Sequence, residues 1–510
     1  MTWYEVALSD PDRIAIIDGD RKITFGELRV MVNKIAASWD ELDCPKGGTI
    51  AVVLPNCWEM LPIELAALST ERYLVPVNRH LTAPEIAYIL GNCRPSFVVT
   101  SPELLPTVDA AAAEAGIPGT NRVYTTEPTG DRAFSAIWQD KPDADPADRR
   151  AGSVMFYSSG TTGRPKGIRR ELSGATPEQE AAAGVVMSDA LNLTDGPGVH
   201  GAVAPMYHSA PNAMAIGALG RGVTVAFPGG SHFDESAFLR FIGQVGMTES
   251  FVVPTMFVRL LRLPEAERAA YDPSALRAVV HAGAPCPVPV KHQMIQWWGP
   301  VLEEFYGSTE SSAITAVHSP EWLEAPGTVG RAVPGYEIQI RDAAGRILPA
   351  GEEGLIYSLG SRRFDYVGDP DKTAASWDDE ALLLGDVGKM DEEGRLFILD
   401  RRTDLILSGG VNIYPAEIEF ALLEHPEIDD IAVVGVPDDE WGQRVVAVVQ
   451  PSATADRAQL EESIAKFAEG VLAKYKRPRQ IRIIDQIPRM PTGKISRTAI
   501  RQEVLDSVDA

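Results

Sequence analysis

Short runs of apolar and β-branched residues alternate with stretches of helical spacing through most of the chain. Period-two or continuous apolar runs predict strands, and apolar residues three and four apart predict helices. Strands are predicted at residues 14–17, 22–25, 49–54, 73–77, 96–100 and 154–157, and helices from Gly26 onward and at 59–67. Strand–helix alternation of this kind favours a largely parallel α/β sheet.

A second, smaller unit is predicted after residue 400. Its pattern gives helices at 416–423 and 460–472 and strands at 431–436, 445–449 and 481–484. Residues 101–152, rich in Pro, Ala and Asp, are expected to be variable surface. We therefore predict an α/β fold with a large, multi-subdomain N-terminal domain (1–400) and a small α+β C-terminal domain (401–510).

Composition narrows the class of protein. The 510 residues carry 47 Lys and Arg against 71 Asp and Glu, a formal net charge of −24. A surface this acidic argues against nucleic acid or anionic membranes as partners, so an anionic ligand needs a local cluster of donors. Four isolated cysteines, no leader pattern and no apolar run of about 18 residues indicate a cytoplasmic protein with no transmembrane segment.

The run from Ser158 to Gly167 (SSGTTGRPKG) follows the predicted strand at 154–157. Its glycines let backbone N–H groups approach an anion, its hydroxyls add donors, and Lys166 adds a full positive charge. The run predicts a phosphate-binding loop, although it does not have Walker A spacing. Neither a zinc-binding histidine motif nor a G-x-S-x-G nucleophile motif occurs in the sequence.

Further motifs follow in a fixed order along the chain. They are HAGAP at 281–285, EFYGSTE at 304–310, LGD at 384–386, DRRTD at 400–404 with SGG at 408–410, NIYPAEIE at 412–419, and PTGKI at 491–495. Together with the phosphate loop, this set resembles the adenylate-forming superfamily, which includes acyl-CoA synthetases, firefly-luciferase-like enzymes and peptide-synthetase adenylation domains. The resemblance covers nearly the whole chain and implies that the C-terminal domain is mobile.

The resemblance implies a set of residues that bind ATP and coenzyme A. Tyr306 is implied to stack on adenine, Asp386 to accept from the ribose hydroxyls, and Gly409 and Gly410 to leave room for pantetheine. The full set is Ser158, Ser159, Gly160, Thr161, Thr162, Gly163, Lys166, Gly283, Ala284, Pro285, Tyr306, Gly307, Asp386, Arg401, Gly409 and Gly410.

Activation of a carboxylate by ATP brings one anion against another, so catalysis requires positioning and charge neutralisation. The resemblance implies four catalytic residues. Lys494 reaches the α-phosphate and the substrate carboxylate, Thr309 donates to the α-phosphate, Glu310 binds Mg²⁺, and His208 orients or gates the carboxylate. Thr403 departs from the Asp or Lys usual at the family's hinge, so its balance of conformations is expected to differ.

The sequence thus predicts an AMP-forming acyl- or aryl-CoA synthetase that uses ATP, Mg²⁺ and CoA as the acceptor substrate. Two alternatives stay open: an adenylating enzyme that loads a separate carrier protein, and a catalytically silent nucleotide- or acyl-binding regulator. The residues expected near the acyl pocket are mainly neutral, which favours a fatty, aromatic or steroid-type acid; they are Tyr207, Asn212, Val280, Gly283 and Ser308. The partners are small molecules, with a homodimer possible.

Overall fold

The architecture is taken from a computed structural model of the chain. It describes residues 2–117, 122–127, 130, 132–158, 165–230, 232–401, 404–408, 411–438, 441–489 and 495–506. Within these residues, no helix is long and apolar enough to cross a membrane.

The largest sheet contains nine strands of the described chain, in the order β16-β15-β14-β13-β12-β10-β11-β1-β2. They are β1 (Ile14–Asp18), β2 (Arg21–Thr24), β10 (Val199–Gly201), β11 (Thr224–Phe227), β12 (Glu249–Val252), β13 (Ala278–His281), β14 (Leu302–Ser308), β15 (Ser312–His318) and β16 (Arg331–Ala332). The central pairs, from β11 to β14, are parallel. Strands β1 and β2 pair antiparallel as a hairpin and correspond to the strands predicted at 14–17 and 22–25.

A second sheet is parallel throughout, in the order β6-β5-β3-β4-β7. Its strands are β3 (Thr49–Val53), β4 (Tyr73–Pro76), β5 (Phe97–Thr100), β6 (Val123–Thr125) and β7 (Ser153–Val154). Strand β6 lies inside the stretch expected to be variable surface, as does a ten-residue helix (Leu105–Glu114). That expectation was wrong because the helix is alanine-rich and the strand is three residues long, so neither has a clear apolar period.

Smaller sheets complete the N-terminal domain. One joins β8 (Phe156–Ser158), β9 (Lys166–Arg169) and β19 (Asp365–Tyr366), in the order β19-β9-β8. Another contains β17 (Glu337–Arg341), β18 (Gly354–Leu359), β20 (Trp377–Asp378), β21 (Ala381–Met390) and β22 (Leu396–Arg401). The predicted boundary between residues 400 and 401 falls at the end of β22 and stays a prediction.

The C-terminal domain is an α+β unit, as its pattern predicts. Its strands are β23 (Ile406–Ser408) and β24 (Val411–Ile413), which pair as a ribbon, and β25 (Ile428–Asp438), β26 (Gly442–Pro451) and β27 (Gln480–Ile483), which form a separate sheet. This domain, together with the α/β domain before it, confirms the predicted fold class.

Helices pack against both faces of these sheets. In chain order they are α1 (Trp3–Ser9), α2 (Phe25–Ala36), α3 (Met60–Leu68), α4 (Ala83–Cys93), α5 (Leu105–Glu114), α6 (Phe134–Trp138), α7 (Pro177–Ala190), α8 (Ser209–Gly220), α9 (Glu235–Val245), α10 (Pro254–Leu261), α11 (Glu265–Ala269), α12 (Val288–Trp298), α13 (Ser319–Glu324), α14 (Pro370–Ala375), α15 (Pro415–Leu422), α16 (Leu460–Val471) and α17 (Arg497–Asp506). The main core lies between the two large sheets and includes Ile16, Val225, Ile50 and Phe97 from their strands.

One carboxyl group lies inside this core. Glu64 of α3 is fully buried, and its Oε2 accepts a hydrogen bond of 2.8 Å from the side-chain amide of Asn212 in α8. Burial raises the pKa of Glu64 from 4.5 to about 8, because the apolar surroundings disfavour the ionised form more than the single amide favours it.

We expect Glu64 to make folding stability depend on pH. Between pH 4.5 and about 8 the folded state holds a proton that the unfolded chain releases, so stability falls as pH rises. The slope from this group is about 1.4 kcal/mol per pH unit. Glu64→Gln, which stays neutral, removes that slope. Between pH 5 and 9, the melting temperature of the wild type should therefore fall further below that of the variant as the pH rises.

An exposed glutamate offers the matched control, since Glu462→Gln on α16 changes the charge without changing the core. Parallel melting curves for Glu64→Gln and the wild type across the whole range would contradict the assignment.

Candidate active site

Several of the predicted site residues that the structure describes follow the carboxyl ends of strands in the nine-stranded sheet. Strands β10, β12, β13 and β14 run parallel, so their carboxyl ends lie together. The chain leaves these ends as the segment leading to His208, as Gly283 to Pro285, and as the turn that carries Thr309 and Glu310. In open α/β sheets, ligands bind in the crevice outside these strand ends.

The turn after β14 has a rigid frame. The backbone N–H of Ser308 donates to Ser311 Oγ at 2.9 Å, and the N–H of Ser311 donates back to Ser308 Oγ at 3.1 Å. Gly307 lies so close to the facing strand that an added Cβ would stand 1.9 Å from the carbonyl oxygen of Ser312. Only glycine fits there, and the close approach presents Thr309 and Glu310 at the sheet edge.

Two side-chain contacts fix the orientation of these two residues. Thr309 Oγ1 lies 3.3 Å from Oγ of Ser209, the first residue of α8. Glu310 Oε1 accepts a hydrogen bond of 2.8 Å from the hydroxyl of Tyr366 in β19. Burial, followed by the neighbouring Glu310 carboxylate, raises the pKa of Tyr366, so this hydroxyl stays a donor at neutral pH.

On either side of the predicted phosphate loop, β8 and β9 pair antiparallel, with Ser158 directly opposite Lys166. The Nζ of Lys166 lies 2.5 Å from Asp369 Oδ2. Lys166 and Lys372 lie over the ring of Tyr366, with Nζ at 5.7 and 5.1 Å from its centroid. Two ammonium groups therefore lie beside the ring of Tyr366, whose hydroxyl contacts Glu310.

A second group of polar residues lies where the nine-stranded sheet approaches β21. The hydroxyl of Tyr306 donates to Asp386 Oδ2 at 2.5 Å, and Arg401 Nε lies 3.5 Å from Asp386 Oδ1. Burial and the adjacent Asp386 carboxylate raise the pKa of Tyr306 well above its ordinary value. The pair brings together an aromatic ring and a carboxylate predicted to bind the same nucleoside.

Two further loops carry predicted site residues. His208 is the N-cap residue of α8, and its ring lies 4.5 Å from the ring of Tyr207 in an edge-to-face arrangement. Burial raises the pKa of Tyr207 to about 12. Gly283 is exposed with a positive φ of 86°, a conformation that favours glycine, and it leads into Ala284 and Pro285.

Several predicted site residues lie outside the described residues. They are Ser159, Gly160, Thr161, Thr162 and Gly163 of the predicted phosphate loop, Thr403 of the predicted hinge, Gly409 and Gly410 of the SGG motif, and the predicted catalytic lysine Lys494. Their roles stay predictions.

The single carboxylate of Glu310 is compatible with a Mg²⁺ ion, although it is not part of a larger cluster of metal ligands in the described residues. In the described part of the chain, no group of three or more His, Cys, Asp or Glu side chains could hold a metal ion. A single carboxylate such as Glu310 beside two lysines matches a Mg²⁺ ion that takes its other ligands from phosphates and water.

Sequence reasoning missed Tyr366, Asp369 and Lys372. Asp369 caps the first turn of α14 by accepting from the backbone N–H of Lys372 at 3.1 Å. The Asp-Pro pair at its start signals a helix N-terminus, but nothing in that signal places the helix beside the phosphate loop, some 200 residues earlier in the chain.

Comparison with known families identifies the protein class. Residues 3–363 match the family described as AMP-binding enzyme, and residues 417–494 match the AMP-binding enzyme C-terminal domain. The first match spans more than half of the chain, so the chain belongs to the AMP-binding enzyme family. This confirms the predicted membership of the adenylate-forming superfamily.

The chain is similar over its length to curated ligases. It is 29% identical over 496 residues to the long-chain-fatty-acid–CoA ligase FadD13 of Mycobacterium tuberculosis H37Rv, covering 95% of this chain and 93% of that protein. It is 31% identical over 497 residues to the 2-succinylbenzoate–CoA ligase of Bacillus pumilus, covering 97% and 96%. The predicted enzyme class, an AMP-forming acid–thiol ligase, is therefore confirmed.

The fold is similar to that of a solved structure over nearly the whole chain. ATP-bound MatB from Rhodopseudomonas palustris superposes with a TM-score of 0.85 at 27% identity, covering 99% of this chain and 100% of that one.

We expect the bond between Tyr306 and Asp386 to stabilise the N-terminal domain. Tyr306→Phe removes a hydrogen bond to a charged group, which lowers the free energy of unfolding by about 1.5–3 kcal/mol. Calorimetry measures the loss. Tyr357→Phe in β18 is the matched control, because its hydroxyl makes no hydrogen bond to the described residues. Equal melting temperatures for the two variants would show that the bond contributes nothing.

Proposed function

We propose that this protein activates an apolar carboxylic acid with ATP and transfers the acyl group to coenzyme A. In the first step a carboxylate oxygen attacks the α-phosphorus, and pyrophosphate leaves. In the second step the CoA sulfur attacks the acyl carbon, and AMP leaves. The observation that carries this proposal is the grouping of Lys166, the Thr309–Glu310 turn and the Tyr306–Asp386 pair at one sheet edge.

In this proposal the triphosphate lies beside Lys166 and Lys372. Asp369 now holds Lys166 as an ion pair, so it supplies the counter-ion when no phosphate is bound. A polyphosphate carries more negative charge than one carboxylate and competes for the same ammonium group. Lys166 is thereby kept in place before the nucleotide arrives, which limits the entropy lost on binding.

Glu310 would hold a Mg²⁺ ion, and bound Mg²⁺ supplies charge neutralisation between the phosphates. Tyr366 fixes the orientation of Glu310 through its hydroxyl. Thr309 directs its hydroxyl toward the same crevice from a turn that its neighbours hold rigid. Positioning of this kind is the main contribution a protein makes to transfer at phosphorus.

On the nucleoside side, Asp386 accepts from the ribose hydroxyls and Tyr306 packs against the adenine. Arg401 contributes from the neighbouring strand, where it pairs with Asp386 in register. Gly283, Ala284 and Pro285 border the base with their backbone, and the positive φ of Gly283 is one that favours glycine at this position.

Lys494 neutralises charge at the α-phosphate in the first step, and its domain then rotates about Thr403 to admit CoA past Gly409 and Gly410. One pose cannot present both a catalytic lysine and a thiol channel, so domain movement supplies the second site.

The acid itself is proposed to be fatty, aromatic or steroid-type. Of the residues expected near the acyl pocket, Tyr207 and Val280 are buried and neutral. The polar amide of Asn212 is already engaged by Glu64, which leaves it unsuited to select a polar acid. We further propose that the protein is cytoplasmic and that it forms a homodimer. Size-exclusion chromatography with light scattering measures the oligomeric state.

The function is tested by incubating the protein with ATP, Mg²⁺ and a panel of fatty, aromatic and steroid acids, with and without CoA. Mass spectrometry follows pyrophosphate, acyl-adenylate and thioester. We expect acid-dependent pyrophosphate, and acyl-CoA only when CoA is present. Adenylate that never passes to CoA would favour a carrier-protein acceptor. ATP binding without turnover of any acid would favour the silent regulator.

Lys494→Ala separates the two steps. We expect it to lower adenylation by about 10²-fold or more, because it removes charge stabilisation from the transition state. Thioester formation from supplied acyl-adenylate should be spared. Lys466→Ala on α16, an exposed lysine of the same domain, serves as the control. Equal loss of both steps in Lys494→Ala would contradict a role confined to adenylation.

A further inference from the structure

A guanidinium group lies behind the Thr309–Glu310 turn. Arg170 follows the last residue of β9, and its Nη2 donates to the backbone carbonyl oxygens of both Thr309 and Glu310, each at 2.8 Å. None of the motifs identified in the sequence contains Arg170. We propose that Arg170 is a positioning residue for adenylation, which holds the main chain of these two residues in place; this inference rests on the proposed function.

The main chain and the side chains of Thr309 and Glu310 have different partners. Ser209 and Tyr366 contact the Thr309 hydroxyl and the Glu310 carboxylate, the groups that a ligand must also use. Arg170 contacts only their peptide oxygens in the described structure, so its hydrogen bonds persist when ligands engage the side chains. A main-chain clamp therefore fixes the turn without competing with the nucleotide.

Arg170 is itself anchored to the other large sheet. The hydroxyl of Tyr73, a buried residue of β4, donates to the carbonyl oxygen of Arg170 at 2.8 Å. Arg170 is four residues from Lys166 along the same hairpin. It thus connects the strand that carries the phosphate-loop lysine to the turn that carries Thr309 and Glu310, and sets the distance between them.

Burial of the positively charged Arg170 guanidinium costs desolvation free energy. Its hydrogen-bond acceptors in the described chain are neutral carbonyls, and burial together with the nearby positive charge of Arg362 lowers its pKa. Attraction to the Glu310 carboxylate offsets part of that cost. A fixed positive charge close to Glu310 also suits a site that receives phosphates.

The neighbouring residue provides a matched control. Arg169 is exposed, and its guanidinium carbon lies 4.5 Å from the ring centroid of Tyr73. Arg169→Met and Arg170→Met therefore remove the same charge from adjacent positions, but only the second removes the clamp. Arg170→Lys keeps the charge and loses the planar fork.

The first measurement needs no substrate. Hydrogen–deuterium exchange of the peptide that spans residues 306–312 should be at least about 10-fold faster in Arg170→Met than in the wild type, and unchanged in Arg169→Met. Unchanged exchange in Arg170→Met would overturn the clamp. Because this test does not depend on the acid or on turnover, it separates failure of the clamp from failure of the proposed function.

The second measurement uses acid-dependent exchange of pyrophosphate into ATP. We expect kcat to fall by at least about 10-fold in both Arg170→Met and Arg170→Lys, with KM for ATP within about threefold of the wild type. Methylguanidinium should restore part of the rate in Arg170→Ala. Full activity in Arg170→Lys would show that charge alone suffices, and a rise in KM that matches the fall in kcat would make Arg170 an ATP ligand. Either result overturns the proposal. If Arg170→Met fails to fold, as melting and AMP binding would show, Arg170→Lys decides.

Discussion

The candidate site depends on one turn between β14 and β15 that only glycine permits. An added Cβ at Gly307 would collide with the carbonyl oxygen of Ser312, at the point where the register of the two strands shifts before the turn. Reciprocal bonds between Ser308 and Ser311 hold that turn. Two other elements of the site contact this turn: helix α8 through Ser209, and β19, the strand partner of β9, through Tyr366.

Charge imposes the second constraint. The protein has a formal net charge of −24, yet the proposed reaction brings together a polyphosphate and a carboxylate. The structure supplies positive charge locally: Lys166 and Lys372 lie at one side of the turn, and Arg170 lies behind it. The long-range field of the molecule repels anions, so affinity has to come from short-range contacts in a crevice of low dielectric.

Much of the fold was predictable because long apolar runs such as that of β3 have few alternatives to a buried strand. Tyr306 and Asp386, both predicted to bind the nucleoside, are in contact, which their separate motifs did not predict. Arg170, Tyr366 and Asp369 could not be found in this way. Arginine, tyrosine and aspartate are common surface residues, and only the tertiary pairing of β9 with β19 brings them to the turn. Strand β6 was missed for another reason, since three residues are too few to show a period.

The site is assembled from contacts between residues far apart in the chain. Lys166 meets Asp369 across 203 positions, Arg170 meets Thr309 across 139, and Tyr306 meets Asp386 across 80. Such contacts form late in folding, because each closes a long loop before it contributes any stability. During synthesis the chain therefore lacks the crevice until residues up to Arg401 have emerged and the small sheets have docked. The proposed nucleotide site therefore exists only in the completed N-terminal domain, because a fragment ending before β21 would contain β8 and β9 but lack Asp386 and Arg401.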